Sequence, residues 1–489
     1  MIMSQEIVKT KSRNLNMGRD SSWLISADIV AVFLALIGQV VLTRTLITED
    51  YGIFIIALDI FATVFLIVDL GLPTILARDG AKSPSLIWPA ILRIYKIQAV
   101  FLLPFLLLSL LISGAFIDDW SGYLATLLIC MLVAIAHIFS YAPRSGLRTA
   151  GLAWLEAWTK IIERFITMSG YLVLYFIGSN SVEHYAIAFL IGALVGLFAA
   201  LLFAMLNLKT SQTNVDWSTL DDCWADQKSL ILQALPFAIT LGVLPYVVRI
   251  EKFIVALGLG IESAALLHVA QIAWLAGLVV PQAMRAALLP ILGEKRYREQ
   301  EFSESITKSF DLCFALIPVG LYGGALLIEM LLPLAFPSQY TNGELGASAV
   351  DLFIVLLSGW CLTVLATPTY TALQAGKNPW NFTIFIASVV LFAIILGIML
   401  IGYYSSSKTN GLFAAAVAST ISSAFLLFAS IHLSNQWNHI RGRKWQFLLT
   451  IVLVATTCYG FIENSLLALS GIVLFKFIPQ GWQSMKTID

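Results

Sequence analysis

The chain has 489 residues, of which 59% are hydrophobic and 12% charged, with Lys+Arg equal in number to Asp+Glu. Soluble domains carry about 25% charged residues, so this composition excludes a soluble globular protein, and zero net charge provides no electrostatic footprint for nucleic acid. The five cysteines are scattered without a CxxC pair, which argues against a redox or metal centre.

The first twenty residues are polar and charged. The apolar run after them is too long for a signal-peptide core, so it is expected to remain as a membrane helix. A span needs roughly 20 apolar residues, and the hydropathy pattern predicts an all-α polytopic membrane protein of about fourteen transmembrane helices. They fall at 22–46, 51–77, 86–112, 120–141, 151–177, 184–206, 229–256, 262–292, 306–334, 349–373, 380–404, 411–433, 446–462 and 465–479. Basic residues recur in every second gap, beginning with Lys9, Lys11, Arg13 and Arg19. Arg78 with Lys82, Arg144 with Arg148, Lys209 with Lys228, and Lys295 with Arg296 and Arg298 follow. Lys377, the group Arg441, Arg443 and Lys444, and finally Lys476 and Lys486 complete the series. Cytoplasmic loops are enriched in Lys and Arg, so both termini are expected in the cytoplasm.

No polar stretch reaches the size of an independent soluble domain. The longest polar connection carries Asp216, Asp221, Asp222 and Asp226 and divides the chain. The predicted organisation is a six-helix bundle over 1–206, a cytoplasmic linker over 207–228 and a second six-helix bundle over 229–433. Residues 434–489 supply two additional helices and a cytoplasmic tail, with 465–479 forming either a span or half of a hairpin. Pro236 and Pro245 share the seventh predicted helix, where each can kink it; this is either ordinary proline tolerance in a membrane or a hinge.

Ionisable groups inside spans are costly and usually face a protein interior or a wet cavity. The fifth predicted helix carries Glu156, Lys160, Glu163 and Arg164, at spacings that put Glu156, Lys160 and Arg164 on one face. Either they form an ion-pair ladder within the helix, or Lys160 and Arg164 turn to a cavity and hold an anion. Arg249 and Lys252 share a face of the seventh helix while Glu251 points elsewhere; snorkelling to the interface accounts easily for Lys252 and less easily for Arg249. Arg93 and Lys96 repeat the i,i+3 spacing near the cytoplasmic side of the third helix, where they either snorkel to the interface or face a cavity, and Arg285 reads mainly as an anchor. Asp28, Asp59 and Asp69 either pair with bases on neighbouring helices or serve a coupling ion, since carboxylates can exchange protons or hold Na⁺. His268 reads as a hydrogen-bonded structural residue.

The stretch 42–78 contains Arg44 and Leu46, then Asp50-Tyr51-Gly52, then Asp69-Leu70-Gly71-Leu72, then Arg78. It resembles the opening of Wzx-type polysaccharide flippases of the multidrug/oligosaccharidyl-lipid/polysaccharide exporter superfamily. Weaker similarity continues through 148–164, Leu235-Pro236 and 373–377. The resemblance implies two six-helix bundles around a V-shaped central cavity in the inner membrane. It implies cargo of oligosaccharide linked to undecaprenyl diphosphate, carried from the cytoplasmic to the outer leaflet during O-antigen, capsule or exopolysaccharide synthesis. Related members often place an acidic residue in the seventh helix followed by Gly-Tyr at the next; here Arg249-Ile250-Glu251-Lys252 and Ile261-Glu262 stand instead.

A diphosphate cannot cross hydrocarbon unaided, and Arg can grip phosphate oxygens in a bidentate manner. Arg249, Arg164 and Arg93, with Lys160 next, are therefore the expected diphosphate or glycan contacts. Asp28, Asp59 and Asp69 are the expected sites for a coupling H⁺ or Na⁺, with no cofactor. Membrane lipids, a polysaccharide polymerase and other assembly proteins are the expected partners of a monomer. A drug/cation antiporter of the same superfamily would need an acidic cavity. A membrane glycan polymerase or ligase would need a large outer loop, and the largest here, about 335–348, holds Glu344 as its only charge. No P-loop, HExxH or GxSxG motif is present, so the chain is not expected to be an enzyme.

Overall fold

A computed structural model describes residues 17–79, 84–117, 121–209, 227–243, 249–295, 298–376, 378–437 and 441–485. Most of the expected linker 207–228, Lys377 and both chain ends lie outside these residues. The described chain is helical. A first group comprises α1 (Met17–Thr45), α2 (Thr48–Asp69), the short α3 (Leu72–Asp79), α4 (Ile87–Phe116), α5 (Leu124–Thr149), α6 (Ala153–Ile177) and α7 (Val182–Leu208). A second comprises α8 (Gln227–Val243), α9 (Ile250–Leu259), α10 (Ile261–Gly277), α11 (Val279–Lys295), α12 (Glu299–Ala335), the one-turn α13 (Ser338–Thr341), α14 (Ala349–Gln374), α15 (Pro379–Tyr404) and α16 (Lys408–Leu433). α17 (Lys444–Ile462), a 3-10 segment (Leu466–Phe477) and α18 (Ile478–Met485) pack on α12 and α14. Each group packs mainly on itself, and the principal bridges are α2 on α8 and α10, and α3 on α8.

Nine described helices are long and apolar enough to cross a membrane, ten if the bent pair α10–α11 counts as one span. The expected fourteen are therefore not reached by these criteria among the described residues. Two departures have physical causes. The fourteenth expected span is the 3-10 segment, whose twelve residues reach about 24 Å at roughly 2 Å per residue, short of the ~30 Å hydrocarbon core. It turns back at Asn464, which has a φ of 49°, and presses its backbone on Gly460, where a Cβ would lie 2.0 Å from Ala468 N. The seventh expected helix is described on both sides of residues 244–248, as α8 and α9. The eighth is bent by 48° between α10 and α11: Pro281 has no N–H for the Gly277 carbonyl four residues earlier, and the Trp360 indole donates to that oxygen instead, at 2.8 Å.

Helix ends and close approaches follow local chemistry. Asn378, with Pro379 at the first helical position, and Ser348 each accept a backbone N–H in capping geometry. The Asp69-Leu70-Gly71-Leu72 motif terminates α2, since Leu70 and Gly71 take left-handed φ of 52° and 65°. On α7, Gly192 and Gly196 form a small-xxx-small face that lets α6 approach; a Cβ at Gly192 would meet Thr167 Oγ1 at 2.0 Å, and at Gly196 the Glu163 side chain at 2.8 Å.

Candidate functional site

The carboxylates of α6 are neutralised by neighbouring helices. Arg144 of α5 donates to Glu163 Oε2 at 2.7 Å and to Thr159 Oγ1 at 3.0 Å, and His137 lies 3.1 Å from Glu163 Oε1. Arg148 of α5 pairs with the buried Glu156. Lys160 stands 3.8 Å from Glu156 and donates to Asp28 of α1 at 2.9 Å. The ladder expected inside α6 is therefore mostly a set of ties to α1 and α5. Arg144 and Arg148, expected in a connecting gap, belong to the last turns of α5; Arg144 is buried, which its pairing makes tolerable, and Arg148 is exposed.

Among the described residues Arg164 makes no hydrogen bond or ion pair with an acid, although the paired Glu163 lies near enough to interact electrostatically; its guanidinium is 5.7 Å from the Phe189 ring centre. A cleft of about 450 Å³ opens between the two groups, with Asp28 and neighbouring small apolar residues of α1 on one wall and Arg164 behind them. Gln282 and Arg285 of α11 form the opposite wall. Asp28, whose side chain is 62% exposed and accepts from Lys160, thus shares the cleft with two guanidinium groups, Arg164 and Arg285. Arg164 also borders a smaller cavity of about 60 Å³ with Gln39, Thr167 and Tyr171.

A second constellation joins the groups closer to the α1–α2 turn. Asp59 of α2 accepts from Arg249 Nη1 at 3.2 Å and from Lys252 of α9, and Lys252 also donates to His268 Nδ1 of α10 at 3.1 Å. An ammonium can only donate, so Nδ1 is the acceptor and His268 carries its proton on Nε2 when neutral. Tyr51 packs its ring beside His268 and Tyr340 and donates to Gln39 Oε1 at 2.8 Å. Gly52 lies against the start of α10, where a Cβ would come within 2.5 Å of Ile261 Cγ2 and 2.8 Å of its carbonyl oxygen. Arg44 at the end of α1 donates to the Leu334 and Ala335 carbonyls at 2.7 and 2.8 Å, capping the C-terminus of α12 across the seam. Together these contacts close that end of the interface.

Of the expected contacts, Arg164 and Lys160 stand in or beside the cleft, while Arg249 is committed to Asp59. Arg93 is 2% exposed on α4 and lines neither cavity that Arg164 borders; snorkelling does not describe it. Of the expected ion sites, Asp28 faces the cleft and Asp59 is the anion of the cross-group pair. Asp69 is buried and accepts from Gln98 at 3.2 Å. Snorkelling fails for Lys252, which is 1% exposed with an anion beside it. Arg285, read from sequence as an anchor, and Gln282 line the cleft. The signal available for them was their i,i+3 spacing on one helix face just after Pro281.

A family described as polysaccharide biosynthesis protein matches residues 17–295. No curated protein matches the chain. Among solved structures, the lipid II flippase MurJ in an inward closed conformation aligns with a TM-score of 0.59 at 16% identity, covering 93% of this chain and 98% of that one. A multidrug resistance MATE family transporter of the MOP superfamily, in an outward-facing conformation, aligns at 0.58 and 13% identity over 86% and 96%. A MOP superfamily transporter from Pyrococcus furiosus, described as having a binding pocket of reverse polarity, gives 0.58 and 13% over 86% and 95%. At these identities the likeness is one of fold: this chain has the two-bundle membrane fold of MOP superfamily transporters.

Proposed function

The chain belongs to the polysaccharide biosynthesis protein family, and from that premise we propose that it is a flippase for undecaprenyl-diphosphate-linked oligosaccharide, moving its cargo from the cytoplasmic to the outer leaflet. The observation that carries this reading is the cation-rich cleft between the groups, with Arg164 and Arg285 on opposing walls. A diphosphate leaving water needs fixed cations to replace its hydration, and guanidinium supplies paired donors for its oxygens. Glycan hydroxyls find partners in Gln282 and the wet cleft. A cation antiporter would need the opposite charge balance.

Alternating access then follows from the seam. With both termini in the cytoplasm of the inner membrane, the cleft lies on the cytoplasmic side of the Asp59–Arg249–Lys252 closure, so this is a cytoplasm-facing state. Rocking the groups would part Asp59 from the two cations and free Arg249 to receive the diphosphate on the way out. Lys160–Asp28 is the coupling candidate, because protonation or Na⁺ binding at Asp28 would release Lys160 toward the cargo. The cargo leaves chemically unchanged, so no catalytic residue is required; polymerase and other assembly proteins would act on it afterwards.

The test is transport of a fluorescent lipid-linked oligosaccharide in proteoliposomes, with membrane abundance measured alongside. Arg164→Ala and Arg285→Ala should each lower the rate about tenfold or more, the loss of one charged hydrogen bond worth roughly 1.5–3 kcal/mol, at unchanged abundance. Normal transport in both variants removes the proposed cleft from the mechanism.

A further inference from the structure

The polar cleft does not end at Asp28 and Gln282. On the same two helices an apolar trench of about 600 Å³ takes neighbouring positions: Ala35 and Val279 line the cleft, Leu36 and Val280 line the trench. It runs between α1 and the second group, with Trp360 of α14 among its lining residues and the glycines of α12 along its side. We propose that this trench binds the aliphatic chain of the same lipid whose charged head occupies the cleft, so that the carrier chain is held by the protein rather than left in bulk lipid. The inference rests on the flippase reading for the identity of the head.

Continuity is one argument, because head and chain of one amphiphile must sit in adjoining polar and apolar spaces. The glycines are the other. At Gly320 a Cβ would lie 2.2 Å from the Trp360 ring, and at Gly324 it would lie 3.1 Å from Leu357, so packing requires both to be small. Gly323 has no such reason: a Cβ there meets nothing within 4 Å, yet it too lines the trench. Its missing side chain keeps open a width that a slender chain can use. Trp360 is fixed by its bond to the Gly277 carbonyl, so that part of the lining is rigid. α1 forms the other wall, and it belongs to the group that rocks, so a bound chain would feel the change of state. No residue of α17 or the 3-10 segment lines the trench.

A Cβ at Gly323 has open space and projects from a trench-lining position, so Gly323→Phe is the informative variant. The probes are geranylgeranyl diphosphate, inorganic diphosphate and uncharged geranylgeraniol, each titrated against the purified full-length protein in nanodiscs. Gly323→Phe should weaken geranylgeranyl diphosphate and geranylgeraniol at least tenfold and leave inorganic diphosphate unchanged. Arg164→Ala should do the reverse, weakening both diphosphates and sparing geranylgeraniol. If Gly323→Phe leaves both isoprenoids binding as before, ordinary lipid chains fill the trench and the proposal is overturned. If Arg164→Ala and Arg285→Ala leave the diphosphates unaffected while Gly323→Phe still blocks geranylgeraniol, the trench stands and the diphosphate reading falls.

Discussion

Gly52 shows how one side chain, or its lack, sets a seam between two helix groups. The Asp50-Tyr51-Gly52 motif divides its work: Asp50 accepts from Tyr123 at 2.6 Å, fixing α2 to its own group. Tyr51, fully buried, spans to Gln39 and packs on His268 of the other group. Gly52 admits the backbone of α10, and any Cβ there meets a carbonyl oxygen that cannot rotate away. Gly52→Val should therefore cost about 1–3 kcal/mol by overpacking, visible as a lowered Tm of the detergent-purified protein, with Gly52→Ala intermediate. An unchanged Tm in both variants would mean the seam is loose. The motif was legible in the sequence as a family signature and its tyrosine as an interfacial residue. The reason for the glycine was not, because Ile261 is more than two hundred residues away and sequence spacing carries no long-range distance.

At the scale of elements, the bend between α10 and α11 depends on one borrowed hydrogen bond. Pro281 leaves the Gly277 carbonyl without its helical partner, and the Trp360 indole replaces it. Trp360→Phe removes the donor and also ring atoms packed on Gly320, so it should destabilise the protein by more than the about 0.6–2 kcal/mol of an interhelical hydrogen bond in a membrane. The same variant should straighten or loosen the bend, read as faster amide hydrogen exchange over 274–282; equal exchange in both proteins would assign the bend to other contacts. Hydropathy located most helices because apolar length is a local property. It cut α5 short at Arg144 and Arg148, whose charges mimic a loop until Glu163 and Glu156 of α6 are placed against them. It read the segment 465–479 as a span from its apolarity alone, and nothing in that measure separates an α-helix from the tighter 3-10 turn that Leu466–Phe477 takes.

The molecule as a whole is two helix groups held at one end by charge and parted at the other by a cleft. The holding end is Arg249 and Lys252, at the start of α9, around Asp59; on the flippase reading, a cargo bound in the cleft would have to part them. A ligand shifts a two-state balance only by its differential affinity for the two states, so weakening the closure should lower what the cargo must supply. Asp59→Asn alone would strand Lys252 in the interior, a change that typically costs about 3–5 kcal/mol and can abolish folding. The double change Asp59→Asn with Lys252→Met removes both charges together, which is often neutral for folding. It should therefore leave abundance intact and populate the opened state without cargo. Glu49 of α2 and Glu262 of α10 line a common pocket across the seam, so spin labels at Glu49→Cys and Glu262→Cys report the gap directly. The expected result is a second, longer distance in the double variant that appears in the parent only when cargo is added; a single short distance under every condition would show that the Asp59 closure does not govern the transition.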